Sequence, residues 1–547
     1  MDEEERHHAR VTRPQIAQNT PIKSFYYASI HASINPIPPC LLFSSPMPDT
    51  ASLDWDLCST VCDHQSPRLD AEKPPTVIYA GSGTSSDPYV VVWDPKDPQN
   101  PYEWSRTRKW ILTAQLALAT WTVSFSSSSY SGGLTFIVRD LGTSEELAVL
   151  GISLYVLGFA LGHVLLMFGR RIIFLVTLGL YTPLQLAGCL GNNLPTLLAC
   201  RLLTGIFGSS PLTNAGGTIA DIWDARERGL ASAIYASVPF LGPVIGPIVG
   251  GFVAENPNLG WHFNFWLMFI FSCASLITGY FFAPETYAPV LLRQRAKKLM
   301  KFSNGSTHYV SKYDLNGRSK SFSQLIFTNL SRPFVFMVTE PIVSLFAVYT
   351  AIVYGTLYAL FSAFPIVFQK HRGWTPGQGG LAFIGVGVGI AMGTCTSSIQ
   401  NRIYRKAMEK SPSGHAVPED RLHMAMVGAV LVPVGLFWFA WTADPPIHWI
   451  VPIIAGFPFG MGICQILQSS TAYLMDAYST YFASAIAATV ILRSICGAVF
   501  PLISPAMFNK LGDQWAMTVF AILGLVCTPI PFLFWVRHTF VPFLKFC

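Results

Sequence analysis

Charge is what this sequence is short of. Only 12% of its 547 residues are Asp, Glu, Lys or Arg, where a soluble globular chain carries about 25%. So few charges cannot clothe a protein of this size in water, so much of the surface must face another solvent. The formal net charge is +6 and the basic residues form no dense patch, which argues against a nucleic-acid-binding footprint. Cysteine chemistry is missing as well. Cys189, Cys200, Cys273, Cys395, Cys464, Cys496 and Cys527 lie in apolar segments, where a thiol packs as a small hydrophobe. Cys58 and Cys62 have neither a second pair nor a histidine cluster to complete a metal site. No apolar core follows the first ten residues at the distance of a secretory signal. There is no glycine-rich phosphate loop of the ATP-binding kind, and nothing resembles hydrolytic or redox chemistry. Enzymatic activity, a bound metal, an organic cofactor and ATP drive are all outside expectation.

What stands in place of charge is apolar sequence, 51% of the residues being hydrophobic with a mean hydropathy of +0.41. Runs long enough to cross about 30 Å of hydrocarbon lie near 109–131, 147–168, 172–192, 196–219, 229–254 and 263–283. Six more lie near 338–368, 379–399, 422–442, 447–471, 482–508 and 514–536. The expected architecture is an all-α membrane protein of twelve transmembrane helices in two six-helix bundles. Its parts are a disordered cytoplasmic tail (1–105), a first bundle (106–283), a polar central loop (284–332) and a second bundle with a short tail (333–547). Met47 follows an apolar patch, Cys40–Phe43, and is a second place where translation could start.

Orientation follows from the basic residues, which accumulate on cytoplasmic flanks. With the N-terminus inside, inner flanks and loops hold 23 Lys and Arg and outer loops hold 4, namely Arg139, Lys370, Arg372 and Lys510. Both termini are therefore expected in the cytoplasm. Asn304 and Asn329, each in a glycosylation triplet, then lie in the inner loop, where no glycan is added.

Span 5 carries a distinctive pattern. Gly242, Gly246 and Gly250 recur every four residues, as do Pro239, Pro243 and Pro247, and Gly251 closes the run. One helix face is nearly smooth, so a neighbouring backbone can approach closely, while the prolines remove donors and bend the helix. This fits a bent helix that seals one side of a central cavity as well as ordinary packing. Gly385, Gly389 and Gly393 in span 8, and Pro501 and Pro505 in span 11, read as packing alone.

Charges inside spans are costly and commonly functional. Arg201 opens span 4 and Arg493 lies in the middle of span 11; each reads as a coupling residue or as a structural arginine capped by a pair or by carbonyls. Glu340 near the start of span 7 reads as an interfacial anchor or a proton carrier. Asp221 and Asp476 close spans 4 and 10, where the helix dipole disfavours a carboxylate unless a cation answers it; Arg226 or Arg228 is placed to answer Asp221. Span 1 holds Ser124, Ser126–Ser129 and Ser131, hydroxyls that either satisfy backbone groups or line a wet cavity. Cavity candidates across the spans are Ser126, Ser128, Asn214, Tyr354, Tyr358, Ser362, Gln465 and Tyr473.

Several stretches resemble the major facilitator superfamily, in particular fungal twelve-span drug:proton antiporters. They are the lead-in Val92-Trp-Asp-Pro-Lys-Asp-Pro-Gln-Asn-Pro101, Arg201-Leu-Leu-Thr-Gly205 continued by Ser210–Asp221, Gly242–Gly251, Pro284-Glu-Thr-Tyr-Ala-Pro289, Arg372-Gly-Trp374 and Tyr473-Leu-Met-Asp-Ala-Tyr478. The resemblance runs from about Val91 to the C-terminal region. It implies proton-coupled export of a small amphipathic drug, toxin or secondary metabolite by a plasma-membrane protein, with the vacuolar membrane as the alternative. It also implies a monomer, with protons, substrate and the lipid bilayer as its partners and no nucleic acid. Within it, Arg201 is linked to proton coupling, Arg170 and Arg171 to an inner gate, and Gly242–Gly251 to the antiporter motif. Two departures stand out. The loop Gly162–Arg171 is short and lacks the acid that relatives place before Gly-Arg-Arg, and Ser362 stands where many relatives place Glu. Polyamine export, proton-coupled nutrient uptake and a non-transporting or defective paralogue are the rival readings.

Overall fold

The computed structural model describes residues 79–162, 169–191, 193–224, 227–315, 322–411, 416–478 and 481–544. The expected tail up to residue 78, with Cys58 and Cys62, and the shortened loop at 163–168 lie outside them.

Long helices follow the apolar runs. In the first half of the chain they are α1 (Arg106–Ser129), α3 (Glu145–Leu161), α4 (Arg170–Leu190), α5 (Leu194–Ile222), α6 (Arg228–Glu255) and α7 (His262–Phe282), with a short α2 (Leu134–Leu141) after α1. In the second half they are α9 (Phe322–Thr339), α10 (Pro341–Phe364), α12 (Ile384–Lys410), α13 (His423–Thr442), α14 (Ile450–Ala477), α15 (Phe482–Cys527) and α16 (Pro529–Leu544), with a short α11 (Pro376–Leu381) before α12. Local chemistry sets the starts. The side chain of Ser105 accepts from Arg108 N–H, that of Ser144 from Leu147 N–H, and that of Asn193 from Thr196 N–H, each an N-cap. Thr375 and Gln378 close a capping box on α11. The runs expected as spans 11 and 12 meet at Gly512, inside the stretch labelled α15, where a φ of 76° and a ψ of 168° break the helix and separate the two.

Eight of the described segments are long and apolar enough to cross a membrane, with α15 and α16 counted as one. Segments α1, α3 and α5 fall short: nine hydroxyls dilute α1, α3 has 17 residues, and α5 carries Arg201 and Asn214. Burial sorts the helices. The stretch Pro341–His371 buries 89% of its apolar window and runs through the interior, whereas α7 buries 28%. Its exposed Trp266, Ile270, Ile277 and Phe281 face outward with the apolar flanks of other helices. A continuous apolar exterior of that kind is one that lipid covers.

Glycines set the close crossings. Gly158 and Gly205 bring α3 against α5, and Gly385, Gly389 and Gly393 bring α12 against α14, as small-residue faces do in lipid. The span 8 glycines are thus packing residues.

Residues 79–105, expected to be disordered, are ordered instead. Strand β1 (Tyr89–Val91) pairs in parallel with β2 (Tyr309–Ser311), which lies in the expected central loop beside helix α8 (Ala288–Phe302). Tyr79, Val91, Leu292 and Ala296 form a small core. Arg295 pairs with Asp94 at 2.9 Å and with Asp97, and Arg293 pairs with Asp314 at 2.6 Å, which holds its guanidinium above its ordinary pKa. The partner strand lies more than 200 residues away, so the segment has no local periodicity to betray its order.

Candidate functional site

A cavity of about 240 Å³ lies between the two halves of the chain, walled by α5 and α6 on one side and by α12, α14 and α15 on the other. It runs from Pro239, Phe240, Gln465 and Arg493 at mid-helix to Arg228, Met408, Asp476 and Phe482 at helix ends. Those ends all lie on one end of the molecule, so the cavity opens there.

The opposite end is closed by α6 against α11. A Cβ on Gly251 would come 2.5 Å from Pro376 O and 3.0 Å from Gly377 Cα, and one on Gly380 would come 2.6 Å from Pro247 O. The backbones of the two halves therefore touch with no side chain between them. Glu255 accepts a hydrogen bond from Gly377 N–H at 3.2 Å, and Lys370 pairs with Glu145 at 2.6 Å across the same end. The other face of the α6 stripe stays within the first half. Cβ atoms on Gly242, Gly246 and Gly250 would collide with Ser124, Ser128 and Ser129 of α1. The pattern 239–251 thus has two surfaces, one packed on α1 and one forming the closed end.

Three candidates line the cavity: Pro239, Gln465 and Arg493. Gln465 is also held to α12, donating to Gly393 O at 2.8 Å and to Thr396 Oγ1. Arg493 stands with its guanidinium carbon 5.1 Å from the centre of the Tyr354 ring. The others do not line it, for a common reason: each is engaged in a helix contact. Ser126 donates to Thr122 O. Ser128 lies in the α1–α6 contact, donating to Phe125 O and Gly242 O. Ser362 donates to Pro501 O, and Tyr473 stacks between Phe346 and Phe534. Tyr354 and Tyr358 share a 3.4 Å hydrogen bond, and Tyr358 OH meets Ser127 Oγ at 2.9 Å, joining α10 to α1.

Arg201 is 1% exposed and sits between the rings of Tyr130 and Tyr155. Its fork donates to Gly151 O at 3.1 Å, Ser126 O at 2.7 Å and Ser127 O at 3.0 Å. It is a carbonyl-capped arginine that ties α5 to α1 and α3, and among the described residues its polar partners include no carboxylate. Glu340 stands at the residue before α10 without a side-chain cap and accepts from Tyr478 OH at 2.9 Å, which fits an anchor between α10 and the end of α14.

Asp221 is answered by Arg170, at 3.2 Å, rather than by the adjacent Arg228; Arg226 lies outside the described residues. Arg170 thus has a carboxylate despite the acid-free loop, whereas the Arg171 guanidinium reaches Tyr280 O at 3.5 Å and its Nε has no hydrogen-bond partner among the described residues. Glu285 accepts the backbone N–H groups of Arg170 (3.1 Å), Arg171 (3.1 Å), Thr286 (3.0 Å) and Tyr287 (2.9 Å). Arg170 also donates to Asn214 Oδ1 at 3.3 Å. The cluster joins α4, α5 and the end of α7, all in the first half. Its missing signal was present in the sequence: Glu285 follows an apolar run at the same predicted membrane face as Arg170.

Comparison with known proteins agrees with this geometry. The family model described as Major Facilitator Superfamily matches residues 116–501. The chain is 48% identical over 464 residues to the MFS-type efflux pump MFS2 of Trichophyton rubrum, covering 84% of this chain and 77% of that one. It is 47% identical to the major facilitator superfamily multidrug transporter mdrA of Aspergillus fumigatus, covering 84% and 75%. Among solved structures it resembles the proton:xylose symporter XylE of E. coli, with a TM-score of 0.57 at 16% identity over 79% of this chain and 97% of that one. A cavity between two helical halves, closed at one end by backbone contact and wrapped in an apolar exterior, matches what these likenesses mean for the fold: the chain is a multi-pass membrane protein that belongs to the major facilitator superfamily.

Proposed function

We propose that this protein exports small amphipathic molecules from the cytoplasm by alternating access, in exchange for protons, as a monomer in the plasma membrane with both termini inside. The observation that carries this reading is the cavity, open at one end and sealed at the other by α6 against α11. A carrier that exposes one site alternately to two sides needs that asymmetry in each resting state. The efflux and multidrug relatives support the direction of transport. The 23-to-4 split of basic residues puts the open end inside, where an exporter collects its substrate. The pairing of Arg170 with Asp221, and the hold of Glu285 on the backbone N–H groups of Arg170 and Arg171, weaken the case for a defective paralogue. The test is efflux of a panel of dyes, toxins and polyamines from cells expressing the chain, with and without a proton uncoupler. Uncoupler-sensitive efflux is expected. Accumulation driven inward, or efflux indifferent to the uncoupler at verified surface expression, overturns the reading.

A further inference from the structure

We infer that the cavity selects amphipathic organic anions, with Arg493 meeting the acidic group and the aromatic and thioether walls taking the apolar body. The inference rests on the export reading above and names its substrate class. The charged side chains that line the cavity are Arg228, Arg421, Arg493 and Asp476. Asp476 is held by Arg421 at 2.8 Å, which leaves two arginines unanswered by any carboxylate among the described residues. Arg228, at the mouth, reaches only the Met475 sulfur, at 3.3 Å. Arg493 sits deeper, beside the Tyr354 ring, and its buried Nε has no hydrogen-bond partner among the described residues. An arginine in the core of a membrane protein faces the bundle interior and is retained with a partner. Here the protein supplies an aromatic face and no anion, so the positive field at the cavity wall awaits one from outside.

The walls suit the remainder of such a molecule. Tyr235, Phe240, Phe482, Met408 and Met475 line the same space, and rings and thioethers accept flat apolar bodies of varied shape. The lone lining carboxylate is already paired, so an organic polycation would meet two unscreened arginines and nothing to bind its ammonium groups. That sets the inference against polyamines. Charge-assisted hydrogen bonds to a planar fork favour a carboxylate or sulfonate, and the mouth arginine raises the local anion concentration on entry.

The test uses the purified full-length chain and three probes on one ring system: 1-naphthoate, its methyl ester and 1-naphthylmethylamine. Binding is read by thermal shift, and transport is read in parallel as efflux from expressing cells. Naphthoate should bind about tenfold or more tightly than the ester, as loss of a charge-assisted hydrogen bond entails, and the amine least. Arg493→Gln should erase the difference between acid and ester, while Arg493→Lys keeps part of it. Arg228→Gln, away from the helix core, should weaken the acid alone and guards against a folding defect in the first variant. Tightest binding of the amine, or equal binding of acid and ester by the parent, overturns the anion inference and leaves export standing. Selective binding of naphthoate with no efflux of any probe upholds the site and overturns export.

Discussion

Gly250 and Gly251 are neighbours on α6 whose substitution should have different consequences. A Cβ on Gly251 points across the closed end and falls 2.5 Å from Pro376 O. Ordinary contact begins near 3.4 Å, so the two halves must part by about 1 Å to admit one methyl group. Overpacking of this kind costs roughly 1–3 kcal/mol, and it is charged only to the state in which this end is shut. At about 1.4 kcal/mol per tenfold change in an equilibrium, Gly251→Ala should move the balance toward the opposite opening by roughly 5- to 150-fold. A Cβ on Gly250 instead meets Ser129 of α1, inside the first half; that contact exists in both states, so Gly250→Ala should lower stability and leave the balance alone. Glu145 and Lys370 offer a reporter pair across the closed end, 2.6 Å apart and both well exposed. An exposed pair contributes about 0–1 kcal/mol, so replacing both with spin-labelled cysteines, in a background free of native cysteine, perturbs the seal little. Pulsed electron resonance should find one short distance in the parent and a growing long component in Gly251→Ala. A parent-like distance distribution with undiminished efflux in Gly251→Ala would refute the claim that α6 and α11 form the moving seal.

The remaining predictions concern fixed contacts. Glu285→Gln turns an acceptor of four backbone N–H groups into a side chain with one acceptor oxygen, and should lower stability by about 1–3 kcal/mol; an unchanged melting curve in detergent would show that the cap is dispensable. Because its partners all lie in the first half, the Glu145–Lys370 distance should not respond. Arg201→Lys leaves at least one of three buried carbonyls unmet and should cost about 1–3 kcal/mol, visible as reduced thermal stability together with reduced efflux; wild-type stability with efflux lost would restore a purely coupling role. Tags at residue 60, within 300–325 and at the C-terminus should be unreachable from outside intact cells, and labelling of any one would overturn the orientation.

How much could be read beforehand differs by the range of the interaction. Helix positions were legible, because an apolar run long enough for lipid is a local signal. So was the break between the last two runs, which falls at Gly512, where a positive-φ glycine interrupts the helix between the expected spans. The order of 79–105 was not legible, because it has no local signal. Its β1 strand is three residues long, and its stability rests on a partner strand and on Arg295, both in the central loop. Polar composition alone therefore misread a segment that folds by non-local pairing.

The site divides along the same line, and the division says something about how a membrane carrier writes its function. The stripe 239–251 was legible because its demand, backbone against backbone, is met by residue type alone: only glycine gives a surface that two helices can approach from different sides. The polar candidates were not separable by type. A serine in an apolar helix can satisfy a carbonyl four residues back, and serine, tyrosine and glutamine alike can bridge to a neighbour or face a cavity, with nothing in the residue type to tell these courses apart. Ser126 and Ser362 took the first two courses, binding Thr122 O and Pro501 O. Gln465, which bonds to α12 and also lines the cavity, took the last two. Arginine is the exception, since its five donors are hard to exhaust. Arg201 is surrounded by carbonyls and rings, whereas Arg493 faces the cavity with a donor left over. Two arginines that looked alike as in-span charges are thus separated by what already answers them: Arg201 holds helices together, and Arg493 stands at the cavity wall with no carboxylate partner among the described residues.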